Sequence, residues 1–224
     1  TVRQNVDLGD AGGLQFLVSA MQKRRTSTAS ETRQPWALGR VAWNFDFLDG
    51  KHLLAANIGY QRDKLRNAAD TADDRIDRWV AGTEAKFGFG PVLIKGEFWI
   101  GQGIGGDFLR YDLDTRTSGS GKTKAWDAWG HWVDVTYKII PRWSVTAGFG
   151  MDNPDNSQYK GATSNDRTFT KAYNGYVNTW WTLGPDVKVG FEAMTLRANR
   201  EKTTTGHTFH DTGQRYTTSI YYGF

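Results

Sequence analysis

The chain has 224 residues, no cysteine, 28 Lys and Arg against 24 Asp and Glu, and 10 Trp, 9 Tyr and 12 Phe beside 26 Gly. The missing cysteine excludes disulfide frameworks, thiolate metal sites, iron–sulfur clusters and cysteine nucleophiles together. The formal charge of +4 is spread along the chain rather than gathered in a basic block, which argues against a nucleic-acid partner, and no 18-residue apolar run predicts a transmembrane helix. That says nothing against strands that cross a membrane, whose apolar residues fall only at every second position. No charged segment followed by an apolar one opens the chain, so Thr1 is not read as the start of an unprocessed secretory precursor.

Helical i, i+3, i+4 stripes are almost absent, and two-residue alternation dominates. It predicts strands over 13–24, 35–47, 51–62, 78–89, 91–101, 125–139, 142–152, 171–183, 186–197 and 208–224, with residues 1–11 either a lead-in or a partial strand. In 142–152 the pattern is plainest: Trp143, Val145, Ala147, Phe149 and Met151 share one face, and Ser144, Thr146, Gly148 and Gly150 the other. Each stretch has about the length a tilted membrane strand needs. Short turns at Asp49-Gly50, Gly90-Pro91, Ile140-Pro141 and Gly184-Pro185 alternate with long polar connections at 25–34, 63–77, 102–124, 153–170 and 198–207. Alternating short and long connections are expected of a meander whose two ends face different environments, and the long ones exceed what a compact soluble domain usually carries. Many aromatics fall near predicted strand ends, among them Trp36, Phe45, Phe47, Trp79, Phe87, Phe89, Trp126, Trp129, Tyr137, Trp143, Tyr173, Trp181 and Tyr222, as interfacial girdles would place them. These signs predict an all-β, antiparallel up-and-down transmembrane β-barrel. A soluble sandwich or lipocalin-like barrel explains the alternation equally well but not the two loop classes.

If the apolar faces meet lipid, the charges of the opposite faces point into the lumen: Arg40, Asp46, Glu84, Lys86, Lys95, Glu97, Asp134, Lys138, Lys188, Glu192 and Arg215. A Lys or Arg at mid-bilayer on the lipid face costs about 2–4 kcal/mol, so the lumen is their natural place. There they either line a water-filled channel and set its ion preference, or pair with one another and plug a narrow interior. The basic members are candidates for guiding anionic solutes. Loop 102–124, the longest and Gly-rich, is the candidate for narrowing a pore.

Other motifs are weaker. Gly101-Gln-Gly103-Ile-Gly-Gly106 satisfies G-x-G-x-x-G but lacks a following amphipathic helix, and Gly119-Ser-Gly-Lys-Thr123 has Arg116 where a phosphate loop needs its first Gly. His207, His210 and Asp211 offer two imidazoles and a carboxylate without a third partner for a metal, and His131 with Asp134 or His210 with Asp211 are the only candidates for a catalytic His–Asp pair. No catalytic residue, metal or cofactor is assigned.

The last predicted strand ends Tyr216-Thr-Thr-Ser-Ile-Tyr-Tyr-Gly-Phe224, with Tyr216, Ile220, Tyr222 and Phe224 at one parity. This resembles the C-terminal signal that bacterial outer-membrane barrels present to their assembly machinery. Lys95 to Gly106, Trp126 to Tyr137 and Pro141 to Pro154 resemble stretches of DcaP-like porins. The resemblance covers about residues 12–224. It implies an outer-membrane porin of a Gram-negative bacterium, set in outer-membrane lipid, passing small hydrophilic and organic-anionic solutes by passive diffusion without a cofactor, often as a homotrimer. Short turns would be periplasmic, as would a lead-in over 1–11, and long loops extracellular. Members of that family have about sixteen strands, against ten countable here, so the chain is either part of a larger barrel or a narrow ten-stranded one filled by its own side chains. A surface-exposed adhesion barrel with a plugged lumen and an omptin-like outer-membrane hydrolase are the rival functions.

Overall fold

The structure, a computed structural model, describes residues 1–21, 30–66, 73–106, 108–109, 115–117, 123–155, 167–202 and 208–223. Among them fourteen strands follow one another: β1 Val2–Asp7, β2 Gly13–Met21, β3 Ser30–Arg33, β4 Trp36–Phe47, β5 Gly50–Arg66, β6 Asp73–Phe89, β7 Val92–Gln102, β8 Thr115–Thr117, β9 Thr123–Ala125, β10 Asp127–Ile140, β11 Trp143–Pro154, β12 Arg167–Thr182, β13 Val187–Lys202 and β14 Thr208–Tyr222. A 3-10 turn at Gly9–Ala11 joins β1 to β2. The main sheet runs β1-β2-β4-β5-β6-β7-β10-β11-β12-β13-β14, every neighbour antiparallel, with β3 attached to the far end of β5 and β8–β9 a separate hairpin. It is the expected up-and-down meander. Among the described residues no ladder joins β14 to β1, so the sheet has two open edges.

Three differences from the sequence-based expectation have physical causes. The main path has eleven strands rather than ten, because Val2–Asp7 pairs with Gly13–Val18. Only Val2 and Val6 mark an apolar face there, too few for a periodic signal. The connection expected at 63–77 is largely strand: β5 and β6 stay paired out to Arg66 and Asp73, and β12 and β13 likewise extend to Arg167 and Lys202. Leu65, Ile76 and Phe169 are the only large apolar residues in these extensions, too few to set a period, and backbone pairing continues where the apolar alternation that reveals a strand has stopped. The first turn is Leu48-Asp49, both with positive φ, closed by the Phe47–Gly50 pair, so Gly50 already belongs to β5.

Register decides the faces. Because paired residues of an antiparallel ladder project to the same side, the side chains fall into two sets that can be traced from β1 to β14. One set carries Phe16, Val41, Ile58, Phe98, Val133, Phe149, Val177 and Ile220, all exposed. The other carries most of the buried positions of the strands, Ala42, Gln61, Arg78, Asp134, Thr146, Asp152 and Asn174 among them. The sheet therefore curls around its polar face and turns its apolar face outward. Leu196 and Tyr221 are exceptions, large exposed apolar side chains on the polar face. They sit on the last two strands, where no further strand shields the concavity.

Candidate functional site

All eleven charges singled out from the sequence lie on the inner, polar face. Register carries them from strand to strand: Glu84 is opposite Glu97, Lys86 opposite Lys95, Lys95 opposite Asp134, and Glu192 opposite Thr217. Three pairs form. Arg40 directs Nε and Nη2 at Glu84 Oε2 (3.1 and 2.6 Å) and Nη1 at Gln15 Oε1 (3.2 Å). Lys95 Nζ is 3.3 Å from Asp134, whose carboxylate also accepts the Tyr176 hydroxyl at 3.2 Å. Arg215 reaches Glu192 at 2.9 Å. The side chains of Asp46, Lys86, Glu97, Lys138 and Lys188 make no ion pair or hydrogen bond among the described residues.

The unpaired lysines gather toward the short-turn end. There the inner face holds a cavity of about 530 Å³ lined by Lys138, Lys188 and Arg142, with the hydroxyls of Ser144, Thr146 and Thr182 and the ring of Trp180. No carboxylate lines it among the described residues.

At the opposite end the segment after β7 turns inward. Gly103 donates its N–H to the Trp126 carbonyl (2.8 Å), and Phe108 closes a turn on Ile104 (2.9 Å). Ile104 is fully buried against Trp36, Val80 and Ala128 of the inner face, and Phe108 meets Trp36 edge-on at 5.0 Å. Gly103 has φ +66°, and a Cβ there would lie 2.8 Å from the Arg78 side chain, so both backbone and space call for glycine. The G-x-G-x-x-G stretch thus serves a tight inward turn, and no α-helix follows it among the described residues. Two aromatics leave the expected girdle for the same reason: Trp36 faces inward and is covered by this segment, and Trp126 is buried beside it. Sequence reasoning missed Ile104 and Phe108; two apolar residues inside a Gly- and Asp-rich connection were the available signal.

The remaining girdle aromatics are outward. Around the first two short turns Phe45, Phe47, Phe87 and Phe89 enclose His52, whose Nε2 lies 2.7 Å from the Phe47 carbonyl. At the far ends of β5 and β6, Tyr60 and Trp79 pair on the same face. Of the assembly-signal residues, Tyr216, Ile220 and Tyr222 share the outer face and are well exposed, while Phe224 lies outside the described residues.

The His–Asp candidates do not come together. His131 projects outward between Trp129 and Phe149, whereas Asp134 is inside. His210 hydrogen-bonds Asn199 (2.8 Å), and Asp211, on the other face, pairs with Arg200 (3.1 Å). His207 and the Gly119–Lys122 stretch lie outside the described residues.

A sheet that exposes a continuous aliphatic face while its buried charged residues, Arg78, Asp134 and Asp152, all lie on the other face is inverted relative to a protein surrounded by water. Among solved structures, the outer membrane channel DcaP of Acinetobacter baumannii matches with a TM-score of 0.66 at 15% identity, covering 98% of this chain and 61% of that one. The chain has the fold of that channel. It spans about three fifths of the channel's length, in keeping with an eleven-stranded sheet left open at both edges. The NanC porin also matches, with a TM-score of 0.41 at 8% identity over 99% of this chain and 98% of that one. No protein-family model matches the chain, and no curated protein sequence does.

Proposed function

We propose that the chain forms wall of an outer-membrane porin through which small hydrophilic solutes diffuse passively. The carrying observation is the inverted burial: exposed Val, Ile, Leu and Phe on one face, partly covered Arg, Lys, Asp and Glu on the other. In this reading Arg40, Asp46, Glu84, Lys86, Lys95, Glu97, Asp134, Lys138, Lys188, Glu192 and Arg215 line the lumen, and the outer face meets outer-membrane lipid. The two open edges are joined by further strands into a larger barrel, wide enough to conduct. The inward segment through Ile104 and Phe108 narrows it near the long-loop end, which is extracellular, while the short turns are periplasmic. The barrel-assembly machinery reads Tyr216, Ile220, Tyr222 and Phe224, and the assembled channel is a homotrimer.

An anion preference follows from the cavity at the short-turn end. With Arg40, Lys95 and Arg215 already held by carboxylates, Lys86, Lys138 and Lys188 are the cations of the eleven without a partner among the described residues, Arg142 joins two of them at this cavity, and a low-dielectric wall strengthens their field on a passing anion. The test is planar-bilayer recording on protein extracted from native outer membranes. Ohmic steps with an anion-selective reversal potential are expected, and Lys138→Glu with Lys188→Glu should shift selectivity toward cations. A silent bilayer from folded, heat-modifiable protein would instead favour a plugged barrel whose loops carry the function.

A further inference from the structure

Beneath the inward segment the polar face carries a second cavity, of about 530 Å³, distinct in chemistry from the lysine-lined one. Its walls include Leu38, Trp99, Phe108 and Trp132, and its only charged lining residues among those described are Arg40 and Glu97. These two charges are not equivalent. The Arg40 guanidinium is committed to Glu84 through two nitrogens and to Gln15 through the third. Glu97 is half-buried and has neither a hydrogen bond nor an ion pair among the described residues. Like charges directly opposite on adjacent strands repel, and Glu97 faces Glu84. Arg40 pairs with Glu84 and so relieves that repulsion, leaving Glu97 as the carboxylate that faces the cavity without a partner among the described residues. The nearest cations by register are Lys95 and Lys86. Lys95 is held by Asp134, and Lys86 sits one row nearer the short turns and does not line the cavity.

We propose that this cavity is a subsite for organic ammonium solutes, in which the cation pairs with Glu97 and an apolar or aromatic body lies among Trp99, Trp132 and Phe108. A carboxylate supplies a charge-assisted hydrogen bond, and the Trp99 indole supplies cation–π attraction, while Trp132, whose ring already has Lys95 Nζ 5.9 Å from its centroid, supplies apolar contact. The volume suits a small molecule rather than a bare hydrated ion. The proposal rests on the inner face being a water-filled lumen and adds to it a station of opposite sign to the lysine-lined end.

The test uses phenethylammonium and its anionic counterpart phenylacetate as blockers of single-channel current in phosphatidylcholine bilayers. Phenethylammonium is expected to interrupt the wild-type current. Glu97→Gln should raise its half-blocking concentration about tenfold or more, the factor that the loss of one charge-assisted hydrogen bond implies. Glu97→Asp, which keeps the charge, should fall between. Phenylacetate block should be the same in all three. Equal block of wild type by cation and anion, or an unchanged phenethylammonium block in Glu97→Gln, overturns the subsite. A silent wild-type bilayer overturns the channel instead. The subsite is then decided by titrating both compounds into detergent-solubilised protein and following tryptophan fluorescence: Glu97-dependent binding of the cation upholds it, and its absence overturns it.

Discussion

Val177→Arg tests the inverted burial most directly. Val177 projects from the outer face of β12 and is 53% exposed. It lies five residues from the strand's end at Thr182. At about 3.3 Å rise per residue and a strand tilt of about 40°, that places it roughly 13 Å above the short turns, near the middle of an apolar band about 25 Å tall. An arginine there should destabilise the fold by about 2–4 kcal/mol, a change of roughly 30- to 1,000-fold in the unfolding equilibrium. Thr217→Arg is the control at the same depth. Thr217 lies five residues from the end of β14 on the inner face, directly opposite Glu192, and an arginine there shares that carboxylate with Arg215, which holds only Oε1. Its cost should stay within about 1 kcal/mol. Reversible urea unfolding in lipid vesicles, followed by tryptophan fluorescence, measures both. Equal effects, or a Val177→Arg cost below about 1 kcal/mol, would refute the assignment of faces.

Further outcomes follow from particular contacts. A Cβ at Gly148 would lie 2.4 Å from the Tyr176 ring, so Gly148→Ala must push the ring aside and break its hydrogen bond to Asp134; a loss of about 1–3 kcal/mol by the same unfolding assay is expected. Lys95→Met leaves the Asp134 carboxylate, 5% exposed, without its cation, and should cost about 2–3 kcal/mol, much of it recovered by adding Asp134→Asn. Both substitutions remove a contact to the same carboxylate, Asp134, so the Gly148→Ala and Lys95→Met double-mutant cycle should be non-additive. Arg62, roughly 30 Å above the first short turn and so beyond the apolar band, holds the Asp77 carboxyl below the usual range with help from the Tyr60 hydroxyl. A carboxyl lowered in the folded state stabilises fully above its ordinary pKa and loses that contribution as pH falls through the lowered value. Amide protection at the ends of β5 and β6, taken relative to the unstructured rate at the same pH, should therefore fall only under acid conditions, and Asp77→Asn should abolish that fall.

The parts of the inner face legible in the sequence were those where polarity alternates cleanly. Lys86, Lys95, Asp134 and Lys138 were assignable because each is flanked by apolar residues of opposite parity, and an odd–even distinction survives any error in the pairing partner. What each charge meets was not legible. Arg40 and Glu84 stand forty-four residues apart on β4 and β6, with β5 between them, and their contact depends on side-chain reach across an intervening strand. The far ends of β5, β6, β12 and β13 were hidden for a different reason, since a segment with at most one large apolar residue has no hydrophobic period to detect.

Alternation, turn chemistry and the two classes of connection thus determined by themselves an all-β meander with one apolar and one charged face, because a side-chain period of two is a local property of extended backbone. Only tertiary structure decided which charges neutralise one another, that Trp36 turns inward to receive Ile104 and Phe108, and that Glu97 is left without a partner. Those outcomes depend on register and on the curl of the whole sheet, which bring together residues that no local pattern relates.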